Sequence, residues 1–121
     1  MNEFINHTNH PSDYWDDPQR RAAEVYGVVR DLPFPAIPAS WGEAEVMQRA
    51  EENARAIIAC RPAAVLVQGE FTYTYALVTL LKAAGLIVLS ACSERHVKEH
   101  SDASGAIVRT SQFVFCRFRT Y

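Results

Sequence analysis

Two kinds of apolar pattern alternate along the chain. Ala63, Ala64, Val65, Leu66 and Val67, and then residues 86–91, form runs of strand length that are apolar on both faces, as strands at the centre of a parallel sheet are. Elsewhere the apolar positions recur at helical spacing: Val46, Met47, Ala50, Ala54, Ile57 and Ile58 share one side, with Glu45, Arg49, Glu52 and Arg55 on the other. Ser40 and Glu43 make a capping-box pattern at the start of that helix, and Arg61-Pro62 breaks it. "FTYTYALVTLLKAAG" predicts another helix, ending at Gly85. Upstream, Glu3, Phe4, Ile5 and Asn6 read as a short strand, after which Asp17 as N-cap and Pro18 at the first helical position open a helix that Gly27 stops. Residues 28–32 form the second strand, closed by "PFPAIP", whose three prolines forbid both a helix and a central strand.

Beyond Cys92 the pattern becomes more polar. "SERHVKEH", a turn around Asp102 to Gly105, and "AIVRTSQFVFCRFRTY" predict an antiparallel pair, with Phe113, Phe115, Arg117 and Arg119 on one face of the last strand and Val114, Cys116 and Phe118 on the other. The expected fold is therefore α/β: a mostly parallel sheet flanked by helices on both faces, with a C-terminal antiparallel strand pair. Strand carboxyl ends then share one edge, where ligands bind in such sheets. The unusual loops all fall at that edge: "NHTNHP", "LPFPAIP", "QGEFT" and "CSER".

The 121 residues amount to a single domain spanning 1–121, without repeat or linker. A formal net charge of −2 gives no broad basic face for long nucleic acid, but leaves room for a small anion held by a few local groups. Cys60, Cys92 and Cys116, odd in number and widely spaced, suit reduced core thiols better than a disulfide framework. With no apolar leader and no membrane-length apolar run, the chain is expected to be a soluble, unprocessed, cytoplasmic protein. His7, His10, His96 and His100 make no convincing metal set, and no cofactor motif appears: neither a Walker loop nor G-x-G-x-x-G, nor a G-x-S-x-G elbow.

The junction "VQGEFTYTY" carries the most chemistry. Gly69 permits close backbone approach, and the residues after it stand at a helix N-terminus, which favours an anion such as phosphate. Thr72 can donate a hydroxyl, Phe71 or Tyr73 can stack on a base, and Gln68 or Glu70 can read its edge. The plainer reading is that Thr72 caps the helix, Phe71 packs beneath the sheet and Glu70 answers the helix dipole. Asn9 and His10, before Pro11, are either ligand contacts or solvated loop residues. Ser93, Glu94 and Arg95 form either a phosphate clamp beside a helix N-terminus or a surface ion pair.

Taken together, Asn9-His10-Pro11 with Trp15, Tyr26-Gly27, Asp31-Leu32-Pro33-Phe34-Pro35, Gln68-Gly69-Glu70-Phe71-Thr72 with Tyr75, Ser93-Glu94-Arg95 and the closing Phe113, Phe115, Phe118, Arg119 and Tyr121 resemble the small CRISPR-associated Csx family numbered fifteen, accessories of type III systems. The resemblance implies a Rossmann-like (CARF-like) domain that binds cyclic oligoadenylate, chiefly cyclic tetra-adenylate, as a homodimer whose two-fold axis matches the ring, and that damps signalling as a sponge. It implies that Gln68 to Thr72 hold phosphate and base, Ser93 to Arg95 a second phosphate, and Asn9 and His10 the ribose. A metal-independent ring nuclease with His10 as acid or base is the alternative, and a structural subunit without nucleotide binding is the other. The role of His7 is left open.

Overall fold

The computed structural model describes residues 2–121. β1 (Glu3–Thr8) leads through a 3-10 turn (Ser12–Tyr14) to α1 (Asp17–Glu24) and β2 (Val28–Asp31); α2 (Glu43–Cys60), β3 (Ala64–Gln68), α3 (Phe71–Ala83), β4 (Val88–Ser101) and β5 (Ile107–Thr120) follow. These strands form one five-stranded sheet in the order β2-β1-β3-β4-β5, parallel except for the antiparallel β4–β5 pair. The expected α/β class, parallel centre and C-terminal antiparallel pair are present.

Each face of the sheet has its own core. On one, Ile5, Val65 and Val67 pack against Ala50, Ala54 and Ile57 of α2 and Leu77 and Leu81 of α3. On the other, Phe4, Leu66 and Leu89 pack around Trp15 and Ala23 beside α1. This division follows from strand order: the chain leaves β1 toward β2 in one direction and returns past β1 to β3, so right-handed crossovers put α1 on one face and α2 on the other. The reversal between β1 and β3 is where the loops after adjacent parallel strands part.

Local capping differs from the expectation in detail. Asp16, not Asp17, caps α1, its carboxylate accepting from Gln19 N at 2.9 Å, while Pro18 lies in the first turn as its missing N–H allows. The helix over 43–60 starts later than the Ser40/Glu43 pattern implies: Glu45 folds back onto Gly42 N at 2.7 Å, and Gly42 is the cap. The thiols are free as expected, but Cys60 and Cys116 are exposed and Cys92 is half-buried, so none belongs to the core. Among the described residues no helix is long and apolar enough to cross a membrane.

The largest departure is in β4. Instead of ending near Cys92 it runs on to Ser101 and pairs with β5 out to Ser101↔Ile107, whereas its pairing with β3 stops at Val65↔Val88 and Leu66↔Leu89. Two side chains take over where that ladder stops: Gln68 Oε1 accepts from Ala91 N at 2.7 Å, and the Tyr121 hydroxyl donates to Val67 O at 2.7 Å. A register shift between Cys92 and Ser93 also changes which β5 side chains share a face. Phe118 lies opposite Ala91 and Phe115 opposite Ser93, with Cys116 as the extra residue, so Phe113, Phe115 and Phe118 line one side and strict alternation from Arg119 fails. The Phe115 and Phe118 rings meet edge to face at 4.9 Å.

The two α2 positions that spacing treats alike should separate on truncation. Ile57 is fully buried and Met47 is 42% exposed, so Ile57→Ala is expected to cost about 2–5 kcal/mol and Met47→Ala under about 1 kcal/mol, measured by urea unfolding.

Candidate functional site

At the reversal point a cleft of about 550 Å³ opens on the α1 face of the sheet. Its floor is Leu66, Gln68, Gly69 and Ala91; Thr8, Asn9 and His10 form one wall with Tyr14, Trp15, Asp16 and Gln19, and Ser93, Gln112, Phe113 and Phe115 of the β4–β5 ribbon form the other. The parting of β4 from β3 makes the space between these walls.

The first wall is fixed by a hydrogen-bond network rooted in β1. Asn6 Nδ2 donates to Asp31 Oδ1 at 2.9 Å and to His10 O at 3.0 Å, while the Thr8 hydroxyl donates to Asn6 Oδ1 at 2.9 Å and accepts from His10 N at 3.1 Å. Asp31 also accepts from Ser12 N at 3.2 Å, and Arg20 clamps Ser12 O at 2.6 Å. The backbone of His10 is thus held at both its N–H and its carbonyl, which places the imidazole against the cleft, 6.5 Å from the Tyr14 ring centre. The Trp15 indole Nε1 in the same wall is buried with no hydrogen-bond partner, an unanswered donor of a kind that is rare in folded proteins.

Of the residues expected at a ligand, the structure brings Asn9, His10, Gln68, Gly69 and Ser93 together in this cleft. It does not bring the rest. Glu70 is the N-cap of α3, accepting from Tyr73 N at 2.7 Å, and Thr72 donates its hydroxyl to the same carboxylate at 2.7 Å. These two bonds, Tyr73 N first, hold the Glu70 carboxyl below its ordinary range. Thr72 also faces a separate apolar groove with Trp41, Met47 and Tyr75 between α2 and α3. Phe71, 89% exposed, stands in solvent rather than beneath the sheet, and Tyr73 is fully buried and has no face free for a base. Glu94 points to the other face of the ribbon, 3.4 Å from His96. Arg95 pairs with Phe113 of the cleft wall but does not itself line the cleft, and β4 continues there as strand rather than turning into a helix.

Gly69 serves a neighbour within the protein. A Cβ there would overlap the Phe34 ring, with Cε1 at 2.6 Å, so Gly69 seats the proline-rich loop against β3. Its φ is not positive, and closeness alone requires glycine.

Spacing gave no hint of what His7 does. Its Nδ1 bonds Leu32 O at 2.8 Å and its Nε2 bonds the Tyr73 hydroxyl at 2.7 Å, while Asn53 Nδ2 donates to the same hydroxyl at 2.7 Å. A carbonyl can only accept, so Nδ1 carries the hydrogen, Nε2 accepts from Tyr73 and the ring is neutral. The relay joins α2, α3, β1 and the loop after β2. Burial, partly offset by the bond to Leu32 O, holds the imidazole below its usual pKa; burial likewise pushes the Tyr73 phenol up to about 12. The cleft residues that sequence reasoning missed come from the 3-10 turn (Tyr14), the start of α1 (its cap Asp16, and Gln19) and the far ribbon strand (Gln112 and Phe113), whose approach to β3 no local pattern encodes.

A family model matches residues 2–119. The chain belongs to the uncharacterized protein MJ1673 family. No curated protein and no solved structure matches it. Membership brings no activity with it, and the chemistry of this family member is therefore argued from its cleft.

Two outcomes follow from these contacts. An unfolded chain protonates His7 more readily than the folded one, so stability is full above about pH 6.5 and falls as pH drops below it, by up to about 1.4 kcal/mol per pH unit. Melting temperature against pH should show this fall, and His7→Gln should flatten it relative to wild type. Gly69→Ala should cost about 1–3 kcal/mol by overpacking, and much of that loss should vanish in a Phe34→Ala background, a coupling that a double-mutant unfolding cycle reads directly.

Proposed function

We propose that this protein binds a nucleotide in the cleft between the carboxyl ends of β1 and β3 and the ribbon, and that the ligand is cyclic oligoadenylate, most suitably cyclic tetra-adenylate, held as a sponge holds it. The observation that carries the reading is the composition of the cleft. Tyr14, Trp15 and Phe113 offer ring faces and edges; Asn9, Gln68 and Ser93 offer amide and hydroxyl groups; no lysine or arginine lines it. Such a wall suits a base, which stacks on aromatic rings and is read by hydrogen bonds at its edge. The phosphates then remain toward the mouth. A cleft of about 550 Å³ is the size of a single small-ligand site, so a ring of four nucleotides extends across more than one copy, which agrees with a two-fold homodimer.

The strand order with its reversal between β1 and β3 supports the Rossmann-like, CARF-like reading of the fold, as does a ligand site at the strand carboxyl ends. The ring-nuclease reading has one point in its favour, His10 standing in the cleft. Against it, Arg95 is not in the wall to stabilise a developing phosphate charge, so the binding role is the better supported.

The test uses labelled cyclic tetra-adenylate with protein in excess, followed for hours with products resolved. Intact, retained ring is expected, and linear products would establish the nuclease instead. Tyr14, 75% exposed, can be truncated without touching the core: Tyr14→Ala should weaken retention by roughly 5- to 150-fold, the loss of one stacked base, with an unchanged melting temperature. Absence of retention by wild type at any accessible concentration removes this ligand.

A further inference from the structure

The bulge in the β4–β5 ribbon brings two cysteines onto one face. Along β4, Leu89 and Ala91 pack with the core on the α1 side and Ser93 lines the cleft, so Cys92 between them turns to the far face. On β5, Phe118 packs with that same core and Phe115 lines the cleft, so both rings lie on the α1 side although they stand three positions apart. A regular strand would turn only one of the two residues between them away. Here both Cys116 and Arg117 turn to the far face, because Cys92 pairs with Arg117 while Ser93 already pairs with Phe115, and two residues of β5 oppose one of β4. Opposed Cα atoms of antiparallel strands are about 4.5–5.5 Å apart, within the roughly 4.4–6.8 Å that a disulfide spans. Both thiols are free, with Cys116 exposed and Cys92 half-buried. Cys116 Sγ rests on Val114 O at 3.6 Å, a weak bond that a turn about χ1 releases. Cys60 is set apart from them: it ends α2 at the opposite edge of the sheet, where Arg30 Nη2 donates to it at 3.2 Å.

We propose that Cys92 and Cys116 are a dithiol redox site that takes hydrogen peroxide as its oxidant and closes to a disulfide across the bulge. The exposed Cys116 reacts first, as thiolate: its Sγ bonds one peroxide oxygen, the O–O bond breaks, and the other oxygen leaves as hydroxide and takes up a proton to become water. Cys92 Sγ then attacks the sulfenic acid so formed; the S–O bond breaks, a second water leaves and the S–S bond is made. The two thiols lose two electrons and the peroxide gains them. A bond on an exposed strand face stays open to attack by reducing thiols, so it is reversible, as regulatory disulfides are. Its consequence falls on the cleft. Ser93 and Phe115, each next in sequence to one of the cysteines, stand in the cleft wall, and the bond holds that wall in one register. None of this depends on a ligand in the cleft.

The test treats the reduced chain at low concentration with equimolar hydrogen peroxide, blocks the remaining thiols by alkylation and maps the peptides by mass spectrometry without reduction. The expected product is a monomer lighter by two hydrogen atoms, with Cys92 joined to Cys116 and Cys60 alkylated, and dithiothreitol should return every thiol. Cys92→Ser should leave Cys116 as a sulfenic acid that dimedone traps. Hydrogen exchange of the amides over 93–115 should be slower in the bridged chain than in the reduced one. A bond to Cys60 or between two chains, a Cys116 carried on to sulfinic acid while Cys92 stays free, or ribbon exchange unchanged by the bond overturns the proposal.

Discussion

The pairing of β4 with β3 ends after Leu89, and most of what distinguishes this molecule depends on that ending. Continued pairing would place β4 beside Val67 and Gln68, close the sheet edge and leave no space between the loop after β1 and β5. Because the strands part, each needs other partners for its polar backbone, and an unanswered buried N–H or C=O costs about 1–3 kcal/mol. Gln68 answers Ala91 and Tyr121 answers Val67. Gln68 is therefore both a strut across the gap and part of the cleft floor.

The opposite face of the sheet is held by a different device. His7 is a polar ring in the centre of a hydrophobic core, with Phe34 at 5.3 Å between ring centres on one side and Tyr73 at 5.8 Å on another. Burial of such a group is tolerable only if both nitrogens are satisfied, and they are, by a carbonyl from the loop after β2 and a phenol from α3. The polar network fixes how that proline-rich loop lies across the end of β1 and β3, and Gly69 gives the Phe34 ring its seat. The floor beneath the cleft is thus rigid from below.

The parallel centre, the two helices over 43–60 and 71–83 and the closing hairpin were legible because each is written locally: Val65 to Val67 in a buried run, Ala50, Ala54 and Ile57 at helical spacing, Gly105 in the turn between β4 and β5. The cleft was legible chiefly where it belongs to strand ends, with Ser93 inside β4 as the exception. Asn9 and His10 follow β1, Gln68 ends β3 and Gly69 follows it, and sequence order alone brings them to one edge. Tyr73 was misread because an aromatic ring near a helix start looks the same whether it points out or in; its direction is settled by His7 and Asn53, sixty-six and twenty residues away in sequence. The bulge opposite Cys92 and Ser93 has no local mark either, and one extra residue was enough to move Phe118 onto the face of Phe115.

The distribution of charge gives the cleft its character. Cations are not scarce in this chain, which has 12 lysines and arginines against 14 acids, yet none reaches the cleft wall, and Arg20, the one nearest in sequence to its loop, is committed to Ser12 O. A pocket built to seize a phosphate by charge would place an arginine fork where Asn9 or Ser93 stands. Here aromatic rings and neutral amides line the cleft, and Arg95 stands outside it on the ribbon. Stacking on such rings depends weakly on ionic strength, whereas a phosphate gripped by an arginine fork depends on it strongly. Under the binding reading proposed above, affinity for a base should therefore hold as ionic strength rises.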